Sequence, residues 1–176
     1  EGSHIHLMAQ PGMADRTITV NGLSKAYAMT GWRIGWMIAP APLAKLAAKL
    51  HSQAITSASS FGMAAIVAAL NGPQECVEEM RQAYLARRDF MVAALNSIPG
   101  ISCASIEGAF YLFPRFTHTE LNSLQIAEKL LEGGVAGTPG IAFGDSGEKH
   151  VRFSIATSMP ELEKAAERLV RIVPTL

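Results

Sequence analysis

The chain has 176 residues, enough for one domain or parts of two, with 49% apolar residues and 15 basic side chains balancing 15 acidic ones. Zero formal net charge removes the electrostatic reason to expect nucleic acid or an anionic membrane as partner, and no apolar run approaches the ~20 residues that span a bilayer. Glu1 to His6 has neither the basic start nor the apolar stretch of a signal peptide, and Cys76 and Cys103 form no C-x-x-C pair, so a reducing, cytoplasmic setting is expected.

Thr17 to Val20 is rich in β-branched residues and runs into Asn21-Gly22, which predicts a strand followed by a turn. Arg33 to Ile38 reads as a second short strand closed by Pro40 and Pro42. From Pro42, Leu43, Leu46, Ala47, Leu50 and Ala54 recur at helical spacing, and His51 to Ser60 reads as a loop. Phe61 to Leu70 is apolar nearly all round, which predicts a buried helix ending at Asn71-Gly72.

Pro73 opens a long helical pattern to about Leu95, with Glu75, Glu78 and Glu79 near its positive end. Its stripe of Val77, Met80, Tyr84, Met91 and Leu95 is expected to face a core, with Arg81, Arg87 and Arg88 solvated. Beyond Pro99-Gly100, strands are expected over Ala109 to Phe113 and Val151 to Ala156. Thr119 is the expected cap of a helix through Leu131, and Ser158 to Glu161 reads as a capping box opening a last helix. His4 and His6 share a face but have no evident third metal ligand, and Trp32 and Trp36 read as packing residues.

The run from Asn21 to Trp36 sets Lys25 just past the first strand and Arg33 eight residues on, among glycines at 22, 31 and 35. Such glycines let backbone turn tightly and approach a ligand closely. The run resembles the lysine motif of the class I/II aminotransferases, fold-type I enzymes that use pyridoxal 5'-phosphate. The resemblance implies that Lys25 holds the cofactor as an imine and then shuttles a proton, and that Arg33 grips the phosphate with its planar fork. Ser24 is a further phosphate candidate; in the aspartate aminotransferase subgroup the phosphate hydroxyl stands three positions before the lysine, where this chain has Gly22. His150 to Ser158 resembles the family segment whose arginine binds the substrate α-carboxylate, which points to Arg152. Glu107 to Tyr111 and Pro139 to Gly144 recur in the family ahead of it, and Tyr111 is either a substrate-lining or a core aromatic.

The fold so implied is α/β: the end of a large PLP-binding domain over residues 1–71, a connecting helix over 72–98, and a small C-terminal α+β domain over 99–176. The implied activity is ping-pong transfer of an amino group from an L-amino acid to a 2-oxo acid. Another fold-type I enzyme, such as a C–S β-lyase, or the PLP-binding sensor domain of a transcription regulator, is the alternative. A homodimer is implied, with the loop from Ile55 to Ser60 reaching toward the partner's site. Some aspartate-specific relatives use a second arginine after that loop, and this chain has none between Gly35 and Met80. Family members are much longer and carry an acidic residue for the pyridine nitrogen, a ring-stacking aromatic and a tyrosine upstream. The 176 residues are therefore expected to be the C-terminal part of a longer polypeptide, incomplete as a catalyst alone.

Overall fold

The computed structural model describes residues 4–176, which fall into two units, one ending at Glu79 and the other Met80–Leu176. In the first unit, β1 (Thr19–Gly22) pairs antiparallel with β2 (Gly35–Ile38), Thr19 opposite Ile38 and Gly22 opposite Gly35. The first strand thus starts two residues later than the β-branched run suggests. The second starts at Gly35 because Arg33 is left-handed, with φ 50°, and cannot extend the ladder. Helix α1 (Ala41–Ile55) has Pro42 in its first turn, where a missing N–H costs nothing, and it runs through His51 to Ile55, half of the expected loop.

Helix α2 (Ser60–Asn71) is capped by Ser59, whose Oγ accepts the Gly62 N–H at 3.3 Å. The expectation that α2 is buried fails. Of its residues only Gly62 is buried, while Phe61 is 69% and Val67 60% exposed. A helix apolar on all sides needs neighbours on all sides, and one two-stranded ribbon offers too little surface for that. Among its described residues the first unit buries Thr17, Leu23, Ile34 and Gly62.

The second unit holds the hydrophobic core. Helix α3 (Glu75–Asn96) contributes Met91 and Leu95 to it. Arg87 and Arg88 are half-buried rather than solvated. Arg87 lies 5.2 Å from the Tyr84 ring centroid, and Arg88 donates to the Ile106 carbonyl at 3.0 Å while pairing with Asp89 at 2.7 Å. Strand β3 (Ile101–Ser102) pairs with β5 (Arg115–Phe116), and β7 (Val151–Ser154) lies between β4 (Tyr111–Leu112) and β6 (Thr138–Pro139), all antiparallel. Val151, Phe153 and then Ile155 point into the core with Leu112, Phe116, Ile126, Leu130, Leu162 and Leu169. Each such side chain, fully buried, contributes about 1.5–3 kcal/mol, so most of the burial free energy resides here.

Two caps differ from the sequence reading. Helix α4 (Ser123–Glu132) is capped by Asn122, not Thr119. Asn122 Oδ1 accepts the Gln125 N–H at 2.9 Å and Gln125 Oε1 accepts the Asn122 N–H at 3.0 Å, a full capping box. Thr119 instead accepts the Leu121 N–H at 3.2 Å, a local turn, and the helix starts three residues later than expected. Helix α5 (Met159–Ile172) follows Ser158, but no side-chain cap forms. Glu161, the acid that a box would turn back to the Ser158 N–H, bonds Lys164 Nζ at 2.7 Å instead.

Candidate active site

The site region of the first unit begins with the closed end of the β1–β2 ribbon. Gly22 and Gly35 face each other there, and a Cβ on Gly35 would stand 2.7 Å from the Asn21 carbonyl oxygen. A Cβ on Gly22 would meet the Ile34 carbonyl oxygen at 2.9 Å. Glycine is required by proximity of backbone, not by a left-handed φ. Asn21 Oδ1 accepts the Gly22 N–H at 2.8 Å, which steadies the exit from β1.

The chain then turns through Leu23 to Ala28. Leu23 is fully buried and its carbonyl accepts the N–H groups of Tyr27 and Met29 at 3.3 and 3.4 Å. Ala28, at φ 53°, donates to the Lys25 carbonyl at 3.2 Å. This compact turn leaves the Lys25 side chain exposed on its outer side. A short 3-10 turn, Thr30–Trp32, returns the chain to β2, and Arg33 closes it in the left-handed region with Nη1 donating to the Thr30 carbonyl at 3.0 Å. Asn21, Gly22, Ser24, Lys25, Arg33 and Gly35 thereby line one open depression of about 460 Å³. So Ser24, Lys25 and Arg33, singled out in the sequence, come together.

Behind the depression, Ile34 is buried against the start of α2: a Cβ on Gly62 would touch its Cδ1 at 3.3 Å. Trp32 packs edge-on to Phe61, centroids 6.1 Å apart. Sequence reasoning missed Gln74. Its Oε1 accepts the Tyr27 hydroxyl at 2.9 Å, while its amide nitrogen donates to the carbonyls of Ala69 and Gly72 at 2.9 and 2.8 Å. One side chain thus caps the end of α2 and orients a tyrosine two residues from Lys25. Its signal is the turn sequence Asn71-Gly72-Pro73-Gln74, in which Asn71-Gly72 reads as a helix stop and Pro73 as a helix start.

Arg152 belongs to the second unit, on the central strand β7, half-buried on the face turned from the core. Its guanidinium carbon lies 4.2 Å from the Tyr111 ring centroid and 4.5 Å from that of Phe143. Tyr111 is therefore an arginine contact and not a core aromatic. The His4 and His6 rings pack edge to face at 4.5 Å.

A family model for aminotransferase class I and II matches residues 3–169, a span that includes the lysine turn, Arg33 and β7. The chain belongs to the aminotransferase class I and II family. It is 45% identical over 171 residues to an aspartate aminotransferase of Rhizobium meliloti, covering 91% of this chain and 41% of that protein. An aspartate aminotransferase of Pyrococcus abyssi is 40% identical over 173 residues, covering 97% and 44%. Among solved structures, the aromatic aminotransferase of Pyrococcus horikoshii OT3 superimposes with a TM-score of 0.95 at 40% identity, over 99% of this chain and 48% of that one. The chain thus spans less than half the length of these aminotransferases, and its neighbours share the fold-type I architecture. Members of class I and II use pyridoxal phosphate. Among the described residues, no helix is long and apolar enough to cross a membrane.

Proposed function

We propose that the protein carrying this chain is a pyridoxal 5'-phosphate-dependent aminotransferase that moves an amino group from an L-amino acid to a 2-oxo acid in a ping-pong cycle. The observation that carries this reading is the convergence of Lys25, Ser24 and Arg33 on one depression beside the Gly22–Gly35 contact. The donor set fits the cofactor. Arg33 spends one N–H on Thr30 and has others for a phosphate, Ser24 adds a hydroxyl, and Lys25 supplies an amine for covalent attachment. When bound, the cofactor supplies an electron-withdrawing ring that acidifies the substrate α-carbon.

The chain's own residues do the rest. Lys25 Nζ would take the proton from the substrate α-carbon as base and, as acid, deliver it to the cofactor's C4′. Arg33 and Ser24 fix the phosphate end, so the reacting end stays within reach of Lys25. Arg152 orients the substrate through its α-carboxylate. In this reading residues 1–71 end the large PLP-binding domain, 72–98 form the connecting helix, and 99–176 form the small domain. The assembly is a cytoplasmic homodimer with the loop from Ile55 to Ser60 near the partner's site. The relatives named aspartate and aromatic aminotransferases direct the first donor screen to L-aspartate and aromatic amino acids.

The test is borohydride reduction of the complete protein after incubation with pyridoxal phosphate, followed by peptide mapping. A single reduced adduct on Lys25 is expected. Its absence, or an adduct on another lysine, refutes the reading.

A further inference from the structure

Arg152 is held by rings instead of ions. Side chains alternate along β7, so Arg152 and Ser154 share the face away from the core. Tyr111 lies opposite Ser154 on β4, which makes it the diagonal neighbour of Arg152 on that face. On the other side Thr138 of β6 lies opposite Arg152, and the chain then turns through Gly140–Phe143 to bring Phe143 to the same guanidinium.

The two rings lie with their centroids 4.2 and 4.5 Å from the guanidinium carbon. Each is braced separately. Tyr111 packs on Phe110 at 4.5 Å, and Phe143 meets Phe113 edge-on at 5.8 Å. Phe113 in turn stacks on His150 at 4.8 Å. No hydrogen bond or ion pair within the described residues engages the Arg152 side chain. This matters chemically. A carboxylate partner would also fix the arginine, but it would occupy the N–H groups that an incoming carboxylate needs. Rings attract a guanidinium through its flat faces and leave the in-plane donors open.

We propose that Tyr111 and Phe143 are positioning residues that clamp Arg152 with its N–H fork open to the carboxylate of an incoming amino or 2-oxo acid. The proposal rests on the reading of Arg152 as the carboxylate-binding arginine.

The test uses the complete protein with 2-oxoglutarate as probe, its binding measured by calorimetry and its KM and kcat by steady-state kinetics. Phe143→Leu and Tyr111→Leu should each weaken binding and raise KM about tenfold while kcat stays within about threefold, the pattern of lost uniform binding. Tyr111→Phe should recover most of the binding that Tyr111→Leu loses, because the guanidinium lies over the ring; if it binds as weakly as Tyr111→Leu, the ring does not hold the arginine and the clamp is refuted. Arg152→Leu separates the two levels. If it binds 2-oxoglutarate as the wild type does, the reading of Arg152 falls and the clamp with it. If it loses binding while Phe143→Leu and Tyr111→Leu keep it, the clamp is refuted and the reading stands. A wild-type protein that does not bind 2-oxoglutarate overturns both. Should Tyr111→Leu fail to fold, Phe143→Leu decides alone, since Phe143 is 49% exposed and tolerates truncation.

Discussion

Gly35→Ala should damage the proposed active site through backbone displacement alone. The new Cβ would stand 2.7 Å from the Asn21 carbonyl oxygen and 3.5 Å from the Gly22 Cα, and neither is a flexible side chain that could swing aside. Ordinary contact begins near 3.4 Å, so the two strands must part by about 0.7 Å where β1 leads into the Lys25 turn. A misplacement approaching 1 Å costs up to about a hundredfold in rate when reacting groups must be aligned. The expected result is a fall in kcat of roughly tenfold to a hundredfold. Gly31→Ala is the control within the same motif: a Cβ there meets nothing within 4 Å. It should leave kcat within about threefold and, by restricting the unfolded chain, raise stability by a few tenths of a kcal/mol. The assay is steady-state turnover of the complete protein with its best amino donor, paired with reductive trapping of pyridoxal phosphate on Lys25 to show that the site still loads. If Gly35→Ala and Gly31→Ala have the same kcat, the close approach of the strands does not position the lysine and the reasoning fails.

Phe116→Ala removes a fully buried ring from the second unit and should cost about 3–5 kcal/mol, read by denaturant unfolding of the complete protein; a loss below about 1 kcal/mol would contradict the core described here. Glu148 accepts the backbone N–H groups of Lys149 and Ser123, which hold its carboxyl below the ordinary glutamate value. A lowered folded-state pKa stabilises fully above the ordinary value of about 4.3 and is lost as pH falls through the folded value. Glu148→Gln should therefore flatten the acid limb of the melting temperature against pH, and an unchanged limb would refute it. Burial raises the Cys103 thiol, whereas Cys76 is exposed on α3. Iodoacetamide at neutral pH should label Cys76 and spare Cys103 until the second unit unfolds, with mass spectrometry as the readout.

Local signals carried much of this fold. The proline at the start of α1, the acids opening α3 and the alternation on β7 each act within one or two turns of chain, and each is visible as a spacing. Arg33 shows where such reading stops. Its neighbours favour a strand, yet the 3-10 turn before it and its own bond to Thr30 hold it left-handed. Caps failed for a related reason. Thr119, Asn122 and Ser158 are all competent N-caps, and the choice among them depends on competing bonds, Thr119 to Leu121 and Glu161 to Lys164. Gln74 was illegible because its partner Tyr27 lies 47 residues away in sequence. Phe143 was illegible because only the pairing of β6 with β7 brings its turn to Arg152. The composition of α2 called for burial, but burial is a property of neighbours and not of the helix itself.

The two units hold their key cations by different physics, and so they should fail in different ways. Arg152 stands on a strand whose other face is sealed by Val151, Phe153 and Ile155, with braced rings about its guanidinium. Side-chain truncation is the damage to which it is exposed. Lys25 stands on a turn anchored by one fully buried residue, Leu23, by carbonyl bonds and by the Gly22–Gly35 contact. Changes to backbone geometry threaten it more than the loss of any one side chain. Val20, Leu46, Leu50, Phe61 and Val67 leave apolar surface of the first unit open to water. Exposed apolar area costs about 25 cal/mol per Å², and catalytic geometry tolerates only about 0.5 Å of play. In the proposed reading Lys25 needs a rigid setting, and covering this surface would supply it, whereas the frame of Arg152 is already built into the second unit.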